Sequence, residues 1–140
     1  MSLEIRNVTK VFPGPRRGFF GKGEGFTALD DVSLSVKKGA SFGLVGESGS
    51  GKTTLTRCIL RLESLTAGSI LFNGSDIHRL PGPEMRRLRA RMQIVFQDPY
   101  ASLDPRMTIH DIVAEPLVIH SDSVKMTARQ RTERVVELLL

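Results

Sequence analysis

One segment of the 140-residue sequence has the residue types and spacing of a phosphate-binding loop: Gly46-Glu47-Ser48-Gly49-Ser50-Gly51-Lys52-Thr53. It fits the pattern G-x-x-x-x-G-K-[ST], and it is called the P-loop below. Glycines let the backbone curl around an oxyanion and point consecutive N–H groups at it, because no side chain blocks the approach. Lys52 supplies a positive charge for the β- and γ-phosphates, and the Thr53 hydroxyl is a ligand for Mg²⁺. The segment therefore predicts a site for a nucleoside triphosphate.

The elements predicted on either side of the P-loop favour the same chemistry. Residues 41–46 are a short apolar run that predicts a buried strand, and residues 52–62 carry apolar side chains at helical spacing. A helix that starts at the loop adds its N-terminal N–H groups and the positive end of its dipole. Thr54, one residue further into this helix, is placed to donate to an α-phosphate oxygen. A merely flexible glycine turn is the alternative, and the strand, loop and helix context argues against it.

The rest of the chain predicts a mixture of strands and helices. Further strands are expected at residues 3–12 (as an edge strand), 27–36, 69–72 and 92–96, with tight turns at residues 37–39 and at Asn73-Gly74. Pro83 suits the first turn of a short helix through Arg89. Thr108 is expected to cap a helix through about Leu117, and Thr127 with Gln130 forms a capping-box pattern before the last helix. Residues 13–26 and 98–107 are expected to be loops.

Composition excludes several classes of protein. The chain is 40% hydrophobic with no long apolar run, so it is expected to build a core and not to cross a membrane. Its start carries Glu4 and no apolar stretch, which is unlike a secretory signal. The single Cys58 forms neither an internal disulfide nor a zinc site, which suits a reducing compartment, and packing is its expected role.

The net charge of +5 raises the question of nucleic-acid binding. Arginine accounts for 14 of the 20 basic residues, nine of the arginines fall in three separate groups (residues 16–17, 86–91 and 129–134), and the chain has one Tyr and no Trp. Few aromatic side chains are therefore available to stack on bases. We expect a solvated basic face and no nucleic-acid partner.

Two long segments carry a resemblance to a known family. GLVGESGSGKTTLTRCILRLESLTAGSILFNG, followed by MQIVFQDPYASLDPRMTI, closely resembles the ATPases of ATP-binding cassette (ABC) transporters, from residue 8 to the last helix. The stretch from Gln97 to Ile109, with Glu115-Pro116-Leu117 after it, is similar to the ATPases of oligopeptide and dipeptide importers, although those of nickel importers share this sequence pattern. The resemblance implies an α/β fold: a P-loop NTPase core with an N-terminal antiparallel β portion and the start of a helical subdomain. Residues 1–140 would then be a partial ATP-binding domain, with the β portion and P-loop core at 1–97 and the Q-loop and helical subdomain at 98–140.

The resemblance also implies roles for individual residues, with ATP and Mg²⁺ as the cofactors. Gln97 matches the family's Q-loop glutamine, which helps to ligate Mg²⁺ together with Thr53 and senses the γ-phosphate; an ordinary surface glutamine is the alternative. Phe12 falls where the family places an aromatic that stacks on adenine; the alternative is a core or loop phenylalanine. Residues 98–107 match the region that meets the coupling helix of a transmembrane permease subunit, and a solvated loop is the alternative. The remaining expected contacts to ATP are Gly46, Glu47, Ser48, Gly49, Ser50, Gly51, Lys52, Thr53 and Thr54.

The sequence lacks the motifs with which the family hydrolyses ATP. It contains no LSGGQ-type signature, no apolar strand ending in Asp-Glu and no assignable switch histidine, so no catalytic residue is expected within it. In the family, two cassettes, identical or different, sandwich ATP head to tail, and each signature completes the other site. The resemblance therefore implies a second ABC ATPase subunit and a peripheral location on the cytoplasmic face of the inner or plasma membrane.

The last helix ends in an apolar run, residues 135–140, without a closing Gly, Asn or Pro. This pattern predicts that the chain is cut inside a larger domain. The predicted strands at residues 41–46 and 92–96 also need neighbouring strands, so the isolated chain is expected to be poorly soluble or partly molten. The leading hypothesis is the ATP-binding subunit of an ABC transporter, and the resemblance implies peptide uptake as the transport. The alternatives are a truncated, non-hydrolysing nucleotide-binding fragment and a soluble P-loop ATPase or kinase.

Overall fold

The computed structural model describes residues 2–14, 25–98, 102–121 and 125–140, which form two compact units, Met1–Pro81 and Gly82–Leu140. The first unit contains the strands β1 (Leu3–Phe12), β2 (Phe26–Val36), β3 (Ala67–Phe72) and β4 (Ser75–Asp76) and the helix α1 (Lys52–Ile59). The second contains the helices α2 (Gly82–Arg89), α3 (Ile109–Ile119) and α4 (Ala128–Leu139). The predicted loop at residues 13–26 lies largely outside the described residues, since 15–24 are not among them.

The four strands form one antiparallel sheet in the order β2-β1-β3-β4. The prediction that residues 3–12 form an edge strand is wrong, because β1 lies between β2 and β3 and hydrogen-bonds with both. Ile5 of β1 pairs with Leu34 on one side and with Ile70 on the other. Ile5 and Ile70 are fully buried and form the centre of this unit's core. The apolar and polar alternation of β1 was a sound strand signal, but it does not distinguish a central strand of a one-sided sheet from an edge strand.

A bulge changes which residues of β1 face the core. Asn7 and Asp31 both have φ of +48°, a left-handed conformation that Asn and Asp tolerate better than other non-glycine residues. The two side chains are joined, since Asn7 Nδ2 donates to Asp31 Oδ1 at 2.8 Å. Beyond this irregularity Val8 and Lys10 are the buried positions. The bulge therefore moves the inward face of β1 from the odd-numbered to the even-numbered residues.

Two predicted strands are absent. Residues 41–46 and 92–96 form no strand, and their large apolar side chains are exposed, Val45 to 93% and Val95 to 95%. A buried strand exists only with hydrogen-bonded neighbours and with covered faces. Within the described ranges neither segment pairs with a strand, so the prediction of buried strands is wrong for this chain.

The predicted turns and helix caps are confirmed. Asn73 and Gly74, between β3 and β4, both have positive φ, +49° and +83°, as a two-residue hairpin turn requires. The Thr108 side chain accepts from the N–H of Asp111 at the start of α3. Thr127 and Gln130 form the predicted capping box of α4. In the second unit the buried apolar side chains are Met85, Ala114 and Val135. Among the described residues, no helix has the length and apolar character needed to span a membrane.

Candidate functional site

The Lys52 ammonium lies inside the P-loop. Its Nζ donates to the carbonyl oxygens of Gly46 at 2.7 Å and Glu47 at 2.6 Å, and it lies 3.2 Å from Ser50 Oγ. A backbone hydrogen bond from the Ser50 N–H to the Glu47 carbonyl oxygen, at 3.2 Å, closes the turn between these two residues. The loop therefore wraps around a fixed positive charge, as expected of an anion-binding loop.

The start of α1 supplies the second positive element of the site. Gly51 caps the helix in the left-handed conformation, with φ of +89°, and no side chain caps the N-terminal N–H groups. These N–H groups carry the positive end of the helix dipole, and an anion placed there would satisfy them. The sequence arrangement of loop, lysine and helix is thus matched by a local geometry that favours phosphate.

Gly51 also sets where α1 begins relative to the sheet. A Cβ atom at this position would lie 2.5 Å from the carbonyl oxygen of Ala28 and 2.9 Å from Leu29 Cδ2, both in β2. Only glycine permits this approach together with its positive φ. At the junction of the P-loop and α1, the backbone of Gly51 therefore lies directly against the backbone of β2. This contact was not predicted from the sequence.

The absence of a side chain at Gly46 keeps the interior of the loop open. A Cβ atom there would lie 2.7 Å from Ser50 Oγ and 4.0 Å from Lys52 Nζ. A side chain would thus fill the interior of the loop, beside the ammonium. The side chains of Glu47, Ser48 and Ser50 are exposed, as is that of Thr53, whereas Thr54 is half-buried.

The remainder of α1 anchors the loop to the core. Leu55 and Cys58 face inward and are buried, which confirms packing as the role of Cys58. Burial raises the pKa of the Cys58 thiol, because the thiolate would be poorly solvated there. The His78 ring lies 2.9 Å, through Nε2, from the Cys58 carbonyl oxygen, so this histidine has a contact at the end of the helix.

Phe12, the predicted base-stacking residue, is the last residue of β1 and is half-buried in the same unit as the P-loop. Lys10 Nζ lies over its ring, 4.7 Å from the centroid. Lys10 is buried and forms an ion pair with Glu63, at 3.2 Å. Neither charged residue was predicted from the sequence to lie at the site. The two-residue spacing of Val8, Lys10 and Phe12 was the available signal, since it puts the lysine on an apolar face.

Gln97 and most of residues 98–107 belong to the second unit. The Gln97 side chain is exposed. Residues 99–101 lie outside the described part of the predicted partner region. Within that region Arg106 donates twice to Asp104, at 3.0 and 2.7 Å, and these bonds hold the pKa of the Asp104 carboxyl below its usual value. The structure thus gives this region a solvent-facing turn with an ion pair.

The described residues contain no group of three or more His, Cys, Asp and Glu side chains that could hold a metal ion. Mg²⁺ needs no such cluster, because it is commonly held by one or two protein ligands together with phosphate oxygens and water. A single hydroxyl beside a phosphate-binding loop, that of Thr53, fits this requirement. The residues present are therefore suited to a metal that arrives with a phosphate ligand.

Known proteins are similar to this chain in sequence and in fold. Residues 29–139 match the family described as ABC transporter. The oligopeptide transport ATP-binding protein AppF of Bacillus subtilis (strain 168) is 48% identical over 139 residues, which are 98% of this chain and 41% of AppF. The dipeptide transport ATP-binding protein DppF of Lactococcus lactis subsp. cremoris (strain MG1363) is 45% identical over 98% of this chain and 42% of its own length. The chain thus spans about two fifths of these curated relatives.

Solved structures agree with the sequence comparison. The ATP-binding cassette MJ0796, in a dimeric post-hydrolysis state bound to ADP and Pi, superposes with a TM-score of 0.74 at 29% identity. The matched region covers 96% of this chain and 54% of that one. A further dimeric structure of MJ0796, described as a bacterial ABC transporter cassette, gives the same TM-score at 28% identity. The antiparallel sheet, the P-loop and the helices are therefore an incomplete ABC ATPase cassette, and the chain belongs to the ABC transporter family.

Proposed function

We propose that this chain is part of the ATP-binding subunit of an ABC transporter that takes up peptides, and that it supplies the phosphate-binding side of the nucleotide site. The observation that carries the proposal is the position of Lys52 Nζ, bonded to the Gly46 and Glu47 carbonyls inside the loop at the uncapped start of α1. The names of the relatives, oligopeptide and dipeptide transport ATP-binding proteins, support peptides as the transported class.

The proposed roles follow from the chemistry of each group. Lys52 binds the β- and γ-phosphates, and the N–H groups from Gly46 to Thr53 surround the β-phosphate. Thr54 donates to the α-phosphate. Thr53 and Gln97 hold Mg²⁺, which when bound neutralises charge on the phosphate oxygens. Phe12 stacks on the adenine.

Hydrolysis requires groups that this sequence does not carry. A general base for the attacking water and a signature segment facing the γ-phosphate are both missing from residues 1–140. We infer that these groups come from further residues of the same protein and from a second cassette, identical or different; the dimeric state of MJ0796 supports this inference. Nucleotide binding then closes the two cassettes, and hydrolysis resets them.

Residues 98–107 are proposed to contact the transmembrane permease subunits. The Asp104–Arg106 pair lies in a solvent-facing turn of this segment, so its charged groups are accessible to a partner. The protein would then lie peripherally on the cytoplasmic face of the membrane. The boundary between the core and the helical subdomain, near residues 97 and 98, belongs to the same proposal.

The test is a measurement of MgATP binding and of peptide-dependent ATP hydrolysis. It uses the native gene product, read past codon 140 if the frame continues, with its permease subunits in liposomes. We expect saturable MgATP binding and hydrolysis that rises when a peptide substrate is delivered. Binding without hydrolysis in that assembly would support the non-hydrolysing alternative, and failure to bind MgATP would remove the proposal.

A further inference from the structure

Lys10 is the one charged side chain that is buried among the residues that the structure describes, with 7% of its surface exposed. Lysine is seldom buried without a paired charge, because desolvation of an ammonium group is costly. Three groups compensate it: Glu63 Oε2 at 3.2 Å, Ser64 Oγ at 3.4 Å and the ring of Phe12, whose centroid is 4.7 Å away. The lysine is thus held in one place.

Backbone contacts fix both sides of this arrangement. Glu63 follows the end of α1, and its N–H donates to the Arg57 carbonyl at 3.2 Å. Three residues later, Thr66 bonds twice with β1: its N–H donates to the Thr9 carbonyl at 2.9 Å, and its Oγ1 accepts from the Val11 N–H at 2.9 Å. The acidic partner and the strand that carries Lys10 are therefore connected rigidly.

The ammonium changes what the Phe12 ring offers to a ligand. A cation within about 6 Å of a ring centroid is attracted to the negative face of the π system, so Lys10 occupies one face of Phe12. The ring is only half-buried, so it keeps accessible surface. Two stacked aromatic faces repel each other through their π electrons. A cation that draws this density toward itself reduces the repulsion on the opposite face.

The sheet brings this ring to the same end of the unit as the P-loop. Gly51 approaches the backbone of Ala28, and the next residue of β2, Leu29, pairs with Lys10. Phe12 pairs with Phe26, two residues before Ala28. The aromatic ring and the start of α1 are therefore anchored to neighbouring positions of one strand.

We propose that Lys10, neutralised by Glu63, is a positioning residue for the base of the nucleotide: it holds the Phe12 ring and strengthens stacking on the ring face opposite the ammonium. This inference rests on the proposed function, in which Phe12 stacks on adenine. It distinguishes Lys10 from Lys52, because Lys10 acts on the base and Lys52 on the phosphates. Loss of the Lys10 charge should therefore affect only ligands that carry a base.

The experiment compares the binding of ATP with that of inorganic triphosphate, which lacks the base and ribose, to the native gene product. The variant is Lys10→Met with Glu63→Gln, which removes both charges without leaving either one buried alone. We expect its ATP affinity to fall about threefold to tenfold, the range that a cation–π contact supports, and its triphosphate affinity to stay within about twofold. In a Phe12→Leu background the same double substitution should no longer change ATP affinity. The matched control, Arg6→Met with Glu4→Gln, removes a more exposed ion pair from the same strand and should change neither affinity.

Each of the other outcomes contradicts one named part of the proposal. Equal loss of ATP and triphosphate affinity, or an unchanged ATP affinity, would leave Lys10 a purely structural ion pair. If Phe12→Leu alone does not weaken ATP relative to triphosphate, the proposed stacking role of Phe12 fails. Absence of both ATP and triphosphate binding in the unsubstituted protein would instead contradict the P-loop assignment. If the Met variant does not fold, Lys10→Gln with Glu63→Gln tests the same charge with a neutral hydrogen-bonding pair.

Discussion

The Nζ atom of Lys52 lies 2.7 Å from the carbonyl oxygen of Gly46, so the lysine of the P-loop is hydrogen-bonded to the glycine that begins it. The same ammonium is 2.6 Å from the Glu47 carbonyl oxygen. These bonds hold the loop closed around its charge. The positive group that would meet a phosphate is therefore already inside the loop, and a phosphate oxygen would replace one of its three loop partners.

Lys52→Ala should weaken MgATP binding by at least about tenfold, because hydrogen bonds to charged groups contribute about 1.5–3 kcal/mol and about 1.4 kcal/mol corresponds to a factor of ten. Titration calorimetry of the native gene product measures it. Lys37→Ala, in an exposed turn outside the site, is the control and should bind like the unsubstituted protein. An unchanged affinity for Lys52→Ala would remove the assignment of the P-loop.

Gly51→Ala should lower the free energy of unfolding more than Gly39→Ala does. Both glycines have positive φ, +89° and +77°, which costs an L-residue about 1–2 kcal/mol. A Cβ at Gly39 meets nothing within 4 Å, whereas one at Gly51 would lie 2.5 Å from the Ala28 carbonyl oxygen, so overpacking adds about 1–3 kcal/mol. Denaturant unfolding of both variants measures the difference. Equal losses would mean that the close approach of α1 to β2 does not exist.

The Cys58 thiol should react slowly with iodoacetamide in the folded protein. Its side chain is buried, and burial raises its pKa, so both access and the fraction of thiolate are reduced. Mass spectrometry at pH 8 should show alkylation of this residue at a rate close to that of a free thiol only after denaturant is added. Rapid labelling without denaturant would show that the packing of α1 on the sheet opens easily.

The Asp111 carboxyl should titrate below the usual aspartate range of about 3.9. A hydrogen bond from the Thr108 hydroxyl is the main cause of this lowered pKa, and the His110 ring adds to it. Because the folded pKa is depressed, the stabilisation of the α3 N-terminus is complete above the ordinary value and is lost as pH falls through the folded value.

Carbon NMR of the carboxyl groups measures this titration. Thr108→Val removes the donor, so the pKa of Asp111 should rise in that variant. Asp104 is an internal control, since its low pKa depends on Arg106 and should not respond. A rise at both carboxyl groups would indicate unfolding of the region and not loss of one hydrogen bond.

A protein consisting of residues 1–140 alone should bind the dye ANS and melt broadly. Its exposed apolar side chains include those of Val45, at 93% exposure, and Val95, at 95%, in segments that form no strand. Surfaces of this kind favour aggregation or a partly molten state. A sharp, cooperative calorimetric transition without aggregation would contradict this expectation.

The local signals in the sequence predicted most of the elements. Capping residues such as Thr108 and Thr127, and the Asn73-Gly74 turn, act over a few neighbouring residues, so their effect is visible in the sequence itself. The P-loop was recognisable for the same reason. Its contact with Ala28 was not, because that contact joins residues far apart in the chain.

Predictions that depended on distant partners were less successful. Residues 41–46 and 92–96 have strand-like sequences, but a strand also requires a neighbour, which the pattern alone does not provide. The burial of Lys10 depends on the bulge at Asn7 and on Glu63, which lies in the segment between α1 and β3. Pairing across the sheet and charge compensation are tertiary effects, and one sequence does not specify them.

Both ends of α1 are fastened to the antiparallel sheet. Gly51 contacts β2 at the start of the helix, and the Glu63–Lys10 and Thr66–Thr9 contacts bind the segment after its end to β1. The helix is therefore held against the sheet at both ends, and the sheet sets the distance from the ammonium of Lys52 to the ring of Phe12. In the proposed site, such a fixed span would select ligands by their length as well as by their charge.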